Sequence, residues 1–152
     1  MAITNDKSDQ MQARADGKRT HASQVAGKVR SMAFTFTKAA QGDADSDVEL
    51  VRLPGGPIRI IRINLAPGWS AMGAARTMDL GHAAYADPDG NLVADNPVAF
   101  DADRDVANAG SAILTLNTRL SSKDGITVKA RIQGNTFDVG ETLAGDVEYV
   151  AD

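Results

Sequence analysis

The stretch SAILTLNTRL-SSKDG-ITVKARIQG (residues 111–134) decides the fold class of this chain. Apolar side chains occupy every second position in most of both halves, and polar side chains fill most of the positions between them. The positions predicted to face a core are Ala112, Leu114, Leu116, Leu120, Ile126, Val128, Ala130 and Ile132. A period of two is typical of half-buried strands, and Asp124-Gly125 between the two halves predicts a turn.

The same alternation recurs on either side of this stretch, between clusters of Gly, Pro and Asp. Further strands are predicted in SMAFTFTK (31–38), DVELVRL (47–53), PIRIIRINL (57–65), RTMDLGHAAYAD (76–87), LVADNPVAF (92–100) and DVEYVAD (146–152). The slip in alternation at Ile60-Ile61 predicts a β-bulge or burial on both faces, and Pro97 disfavours a central strand. Residues 66–76 fit either a short helix or a loop, and residues 101–110 resemble a loop.

About eight short strands predict an all-β fold, an antiparallel β-sandwich or barrel of jelly-roll-like type. Residues 29–152 form its single β domain, and the polar residues 1–28 form an extended, flexible N-terminal arm. Residues 1–30 carry six Lys or Arg and three Asp, a net charge of +3, whereas the rest carries ten Lys or Arg and seventeen acids, a net charge of −7. The basic arm is interpreted as a partner contact, with a solvated tail and a nucleic-acid contact as the alternatives.

The composition excludes several classes of site. The chain contains no cysteine, which excludes disulfides and thiolate metal sites. No apolar run approaches the roughly 18 residues that a membrane-spanning helix needs, and the polar start does not resemble a secretory signal. We expect no membrane partner, no direct contact with nucleic acid and no cofactor.

Candidate catalytic groups each lack a necessary companion. The only histidines are His21, in the arm, and His82, on an otherwise apolar strand face. A lone histidine on such a face is more often a hydrogen-bonded core residue than a catalyst, and no G-x-S-x-G nucleophile motif is present. A carbohydrate site built on paired carboxylates needs aromatic platforms, and the chain has one Trp and two Tyr. No catalytic residue is predicted, and the protein is not expected to be an enzyme.

Two acidic segments are weak candidates for calcium. The carboxylates alternate along the chain at Asp43, Asp45, Asp47, Asp101, Asp103 and Asp105. Calcium takes six to eight oxygen ligands, but the glycine and the glutamate that complete an EF-hand loop are missing. Because Asp also favours turns, these segments are interpreted as solvated turns, and no metal site is predicted.

Partner contacts are predicted mainly in and next to the arm. The candidate residues are Arg14, Lys18, Arg19, Lys28, Arg30 and Trp69. Trp69 lies in a stretch of Gly and Ala, where it fits either an exposed anchor or a plug over one end of the core.

The order of segments resembles the capsid decoration, or cement, proteins of tailed bacteriophages. The resemblance rests on the polar start leading into SMAFTFTKAA, on DVELVRLPGGPIRIIRINL, on RTMDLGHAAYADPDGNLVADN and on the closing ITVKARIQGNTFDVGETLAGDVEYVAD. It spans nearly all of residues 29–152 as a pattern of strands and turns and carries over no functional residue. It implies a β-sandwich or barrel on the outer capsid surface that bridges subunits of the major capsid protein.

The sequence therefore predicts a structural virion protein that decorates and stabilises a bacteriophage capsid. The expected partners are the major capsid protein and further copies of this chain, with a trimer favoured and a dimer possible. The expected location is the virion surface, after assembly in the host cytoplasm. The alternatives are another virion component, such as a head–tail connector, tail-tube or fibre-base protein, and a carbohydrate- or calcium-binding β module.

Overall fold

A computed structural model describes residues 3–9, 11–12 and 29–151 of the chain. In those ranges the chain forms strands joined by short connections. The strands are β1 (Asn5–Lys7), β2 (Val29–Thr37), β3 (Ser46–Leu53), β4 (Gly56–Trp69), β5 (Thr77–His82), β6 (Tyr85–Ala86), β7 (Leu92–Val93), β8 (Asn96–Asp105), β9 (Gly110–Ser122), β10 (Ile126–Gln133) and β11 (Thr142–Ala151).

Two sheets pack face to face. One sheet has the order β2-β11-β4-β9, and the other has the order β1-β3-β10-β5-β8, while β6 and β7 form a small separate hairpin. All of these pairings are antiparallel except that of β1 with β3. When β1 and the hairpin are set aside, the eight remaining strands show the two interlocked sheets of a jelly roll. This confirms the predicted all-β sandwich and decides against a closed barrel.

The core lies between the two sheets and follows the predicted period of two. Its central side chains are mostly aliphatic, which agrees with the low aromatic content of the chain. Fully buried members include Val48, Leu50, Leu53, Ile60, Ile63, Leu65, Met78, Leu80, Val128, Ile132, Leu143 and Val147. The apolar even-numbered side chains of β9, from Ala112 to Leu120, point the same way but are only partly buried, and β9 is an edge strand of its sheet.

The turns predicted at residues 53–57 and at Asp124-Gly125 are corners between sheets. The first joins β3 to β4 and the second joins β9 to β10, and in each case the two strands belong to different sheets. Gly125 has a φ of 113°, which favours glycine because a Cβ there is strained. These corners place the two sheets one above the other.

The strands expected at 76–87 and at 92–100 are each divided into two, and two further stretches lie in strands against the sequence-based expectation. Residues 66–69 continue β4 instead of forming a helix or a loop, and residues 101–105 complete β8 instead of forming a loop. Neither strand segment was predicted, because most of the side chains in both stretches are small or polar and show no apolar alternation. The predicted bulge is confirmed, because the pairing of β4 with β9 shifts between Ile60 and Arg62. Pro97 lies in β8, at the edge of its sheet.

Candidate functional site

The outer face of the β2-β11-β4-β9 sheet carries an unusual row of side chains. The register of the three strand pairs aligns Val29, Val150, Arg59 and Arg119 across the full width of the sheet. Arg59 and Arg119 are direct cross-strand partners on neighbouring strands. Two like charges in directly opposite positions destabilise a sheet, so this pair is not explained by the stability of the fold.

Neither arginine of this row is neutralised within the described ranges. No carboxylate there forms an ion pair with Arg59 or Arg119, and Arg59 Nε is buried without a hydrogen-bond partner. The next row of the same face differs, because Arg62 lies 3.7 Å from a carboxylate oxygen of Glu148. We call Arg59 and Arg119, with Val29 and Val150, the arginine row.

The predicted partner-binding residues fall into two groups. Arg14, Lys18, Arg19 and Lys28 lie outside the described residues, as does His21. Arg30 lies in β2 opposite the buried Tyr149 and thus on the inward-facing side of that strand. Its Nε is buried and has no hydrogen-bond partner among the described residues.

Trp69 is a core residue at one end of the sandwich. Its side chain is buried, and its indole Nε1 donates a hydrogen bond to the carbonyl oxygen of Asn108 at 2.9 Å. Gly110 lies directly against the ring, since a Cβ at that position would come within 2.8 Å of it. The structure thus corrects the interpretation of Trp69 as an exposed anchor and agrees with that of a plug.

The first acidic segment is engaged in ion pairs. Asp47 accepts hydrogen bonds from Arg131 Nε at 2.7 Å and from Lys129 Nζ at 2.9 Å. Burial opposes the ionisation of Asp47, but the hydrogen bonds from Arg131 and Lys129 together lower the pKa of its carboxyl. Asp43 accepts a hydrogen bond from Ser46 through its backbone carbonyl, and Asp45 has a φ of 65°. A carboxylate held by two cations is a poor calcium ligand.

The second acidic segment lies on β8, an edge strand. Asp101 pairs with Arg104 Nε at 2.5 Å, and Asp105 accepts a hydrogen bond from the backbone of Ala107. Asp103 is exposed and has a φ of 52°. Across the described ranges, no three acidic or histidine side chains are grouped so that they could hold a metal ion.

His82 is buried in an aromatic environment. Its ring lies 5.2 Å from that of Tyr85 and 6.2 Å from that of Phe100, measured between centroids. Its Nδ1 lies 2.9 Å from the carbonyl oxygen of Ala83, a contact that places the ring proton on Nδ1. These contacts are those of a structural histidine.

An ionic cluster, in which Arg76 and Glu141 are buried and Asp138 is partly exposed, joins the loop before β5 to the start of β11. Arg76 donates hydrogen bonds to Glu141 at 2.6 Å and to Asp138 at 2.8 Å. The hydrogen bond from Arg76, with others from Gln41 and Thr136, lowers the pKa of Asp138 to about 2. Burial raises the pKa of Glu141 in spite of its ion pair with Arg76. The cluster fixes the loop next to Trp69.

The described N-terminal residues lie against the β domain. We call Ile3 to Asp9, together with Met11 and Gln12, the N-terminal clip. Its strand β1 extends the sheet beyond β3, and its Asp6 forms an ion pair with Lys38, whose side chain is fully buried. Met11 is also buried. The sequence pattern did not predict these contacts, because the clip has no apolar alternation.

The arginine row was also missed by sequence reasoning. Arg59 and Arg119 lie 60 positions apart in the chain, and only the strand register brings them together. A sequence signal exists in the two predicted strands, since each carries an arginine among outward-facing positions. Without the order of the strands, that signal does not predict a pair.

Comparisons with known proteins indicate the fold. No protein-family model and no curated protein matches the chain. A chain in the solved capsid of Ralstonia phage GP4 is similar with a TM-score of 0.69 and 21% identity, over 98% of this chain and 99% of that chain. A chain in the capsid asymmetric unit of cyanophage Pam1 is similar with a TM-score of 0.56 and 17% identity, over 90% of this chain and 96% of that chain.

A more distant likeness extends to a second kind of virus structure. A chain in the structure of the infectious bursal disease virus Gt strain has a TM-score of 0.50 and 11% identity, over 88% of this chain and 34% of that chain. At such identities these comparisons establish a shared fold.

In the described part of the chain, no helix has the length and hydropathy needed to cross a membrane.

Proposed function

We propose that this protein is a structural component of a bacteriophage virion that decorates the capsid and stabilises it by bridging subunits of the major capsid protein. The observation that carries the proposal is the likeness to a chain of the Ralstonia phage GP4 capsid, because it covers 98% of this chain and 99% of that chain. A likeness over both whole chains favours a similar role for the entire molecule.

The arginine row is the surface that we propose for the contact with the capsid. Arg59 and Arg119 form a positive site on a domain whose net charge beyond residue 30 is −7. Such a site favours carboxylates on the partner, which would neutralise both guanidinium groups and satisfy the buried Arg59 Nε. Val29, which is 59% exposed, would add apolar contact at the end of the row. The basic residues at 14, 18, 19 and 28 would extend the same charge complementarity.

The location is tested on purified virions. Antibodies against the recombinant full-length chain are applied to particles from a culture that encodes it, and bound gold is located by electron microscopy. We expect label on the outer surface of the head and many copies per particle by quantitative mass spectrometry. If the protein is absent from the particles, a virion role is contradicted. If the label is confined to the tail, the virion role stands but decoration of the capsid is contradicted.

The surface is tested by charge reversal. In Arg119→Glu the row loses a positive charge and gains a negative one, so binding to heads that lack this protein should fall at least tenfold. Lys123→Glu is the matched control, because it makes the same change in net charge at an exposed corner position. Equal losses in both variants, or no loss in Arg119→Glu, would exclude the arginine row as the contact.

We also propose that the protein associates with itself, as a trimer or alternatively as a dimer. Closed symmetry is the common outcome for identical chains. Native mass spectrometry of the full chain should show one of these two states. A ring of six or twelve copies would favour a connector or tail-tube component instead.

A further inference from the structure

The N-terminal clip contacts a set of β-domain residues that we call the clip socket. Its residues are Lys38, Ser46, Asp47, Glu49 and Leu50.

The clip and the socket are joined by backbone and side-chain hydrogen bonds. Thr4 donates its backbone N–H to Ser46 Oγ at 3.2 Å and accepts from the backbone N–H of Asp47 at 2.9 Å. The backbone N–H of Ser8 donates a hydrogen bond to the carbonyl oxygen of Glu49 at 2.7 Å. The hydroxyl of Ser8 donates a second one to the carbonyl oxygen of Leu50. The socket therefore recognises an extended segment along its backbone.

Lys38 makes occupation of the socket necessary. Its side chain is 0% exposed, and Asp6 of the clip is the one carboxylate that pairs with it within the described ranges. Lys38 Nζ also donates to Thr4 Oγ1 at 2.7 Å and lies 4.9 Å from the centre of the Phe137 ring. A buried ammonium without its partner is strongly destabilising. The β domain thus favours any state in which some clip fills the socket.

The connection between the clip and the β domain is long enough to reach another molecule. Residues 13–28 separate Gln12 from Val29, and a link of that length spans at most about 60 Å when extended. A domain of this size has a diameter of roughly 40 Å, as its expected radius of gyration implies. A clip can therefore reach the socket of an adjacent copy, where it would make the same contacts.

We propose that the clip socket accepts the N-terminal clip of a second copy of this chain, so that neighbouring molecules are joined by exchanged clips. Exchange of an identical segment has little cost, since every contact within the socket is kept. The clip of a nearby copy competes with the molecule's own clip for the socket, and its effective concentration there determines how well it competes. The inference goes further than the self-association proposed above, because it names the segment that joins the copies, and it does not rest on the proposed capsid role.

The test uses the unaltered chain in two isotopic forms. Unlabelled and ¹⁵N-labelled protein are unfolded, mixed in equal amounts, refolded together and treated with a carbodiimide, which joins amines directly to carboxylates. Lys7 and Glu49 are register partners whose charged groups lie 3.9 Å apart. If clips are exchanged, about half of the Lys7–Glu49 cross-linked peptides should combine one light and one heavy chain, as random pairing requires.

An internal control is present in the same sample. Lys129 and Asp47 both belong to the β domain, and Lys129 Nζ lies 2.9 Å from Asp47 Oδ2. Their cross-link should remain of one isotope only. Mixed isotopes at both pairs would indicate aggregation and overturn the proposal, as would Lys7–Glu49 peptides of one isotope only.

A second experiment tests the proposal if too little of the Lys7–Glu49 cross-link forms to be measured. The chain contains no cysteine, so in the double variant Lys7→Cys/Glu49→Cys every disulfide joins introduced thiols, and peptide mapping identifies those that connect position 7 to position 49. Exchange predicts chains linked into dimers or larger species on a non-reducing gel. A monomeric band with an intrachain disulfide overturns the proposal, and so does a protein that stays monomeric in light scattering at millimolar concentration.

Discussion

Lys38 shows how one residue joins two parts of the chain that the sequence separates. The alternation of β2 places position 38 on the same side as Phe34 and Phe36, and the structure buries all three. The sequence therefore predicts the direction of this lysine. It does not predict the partner, because Asp6 belongs to a segment without periodicity, and because ion pairing depends on proximity in space.

Removing the two members of this pair should have unequal effects. Asp6→Asn leaves a buried ammonium without a carboxylate and should lower the free energy of unfolding by about 2 kcal/mol, a value reduced because Asp6 is partly exposed. Lys38→Met removes the buried charge and keeps the volume, so its cost should stay below about 1 kcal/mol. Urea unfolding of both variants measures the difference. Equal losses would show that the ammonium is not stranded without Asp6.

At the scale of the element, the end of β4 shows why one strand was ambiguous in the sequence. Gly68 brings β4 so close to β9 that a Cβ there would lie 1.9 Å from the carbonyl oxygen of Gly110. Small side chains in this stretch are the result of that approach. They also remove the alternation from which a strand is predicted, so the same feature that allows the pairing conceals it.

This close approach is testable with two glycines of similar backbone conformation. Gly68 has a φ of 94° and Gly73 has a φ of 98°, but an added Cβ at Gly73 meets no atom within 4 Å. Gly73→Ala should cost about 1–2 kcal/mol through backbone strain alone. Gly68→Ala should cost about 3 kcal/mol or more, since the strands must also move apart. Thermal unfolding compares them, and similar costs would mean that β4 and β9 tolerate separation.

At the scale of the whole molecule, the sequence predicted the strands and the class of fold but not their order. Each strand's inward face follows from its own alternation, as in β9 and β10. The order depends on which strand pairs with which, and residues such as Arg59 and Arg119 become neighbours only through that order. Patterns within single strands therefore could not predict the arginine row. The absence of cysteine chemistry, in contrast, followed directly from the composition.

One contribution to the stability of the whole domain should be lost in acid. The pKa of Asp138 is about 2 in the folded chain, compared with 3.8 for an unperturbed Asp. The ionised carboxylate therefore stabilises the folded state above about pH 4, and this contribution is lost as the pH falls towards 2. Asp138→Asn should make the loss of stability between pH 4 and pH 2 shallower in urea unfolding experiments.

The control for this prediction is Asp89→Asn. Asp89 is exposed in the turn before β7, and its carboxylate takes part in no hydrogen bond or ion pair with a described residue. The free energy of unfolding of the Asp89→Asn variant should therefore depend on pH as that of the unmodified chain does. If Asp138→Asn follows that same profile, the Arg76 cluster does not contribute to acid sensitivity.

The clip socket has a practical consequence for anyone who trims this chain. A shortened protein that begins at Val29 keeps all eight strands of the jelly roll, and by the usual criteria of domain design it is complete. It would nevertheless present Lys38 to an open groove and leave the outer edge of β3 without its neighbour. Such a truncation would be expected to express poorly or to recruit foreign peptides, so the first dozen residues should be treated as part of the domain.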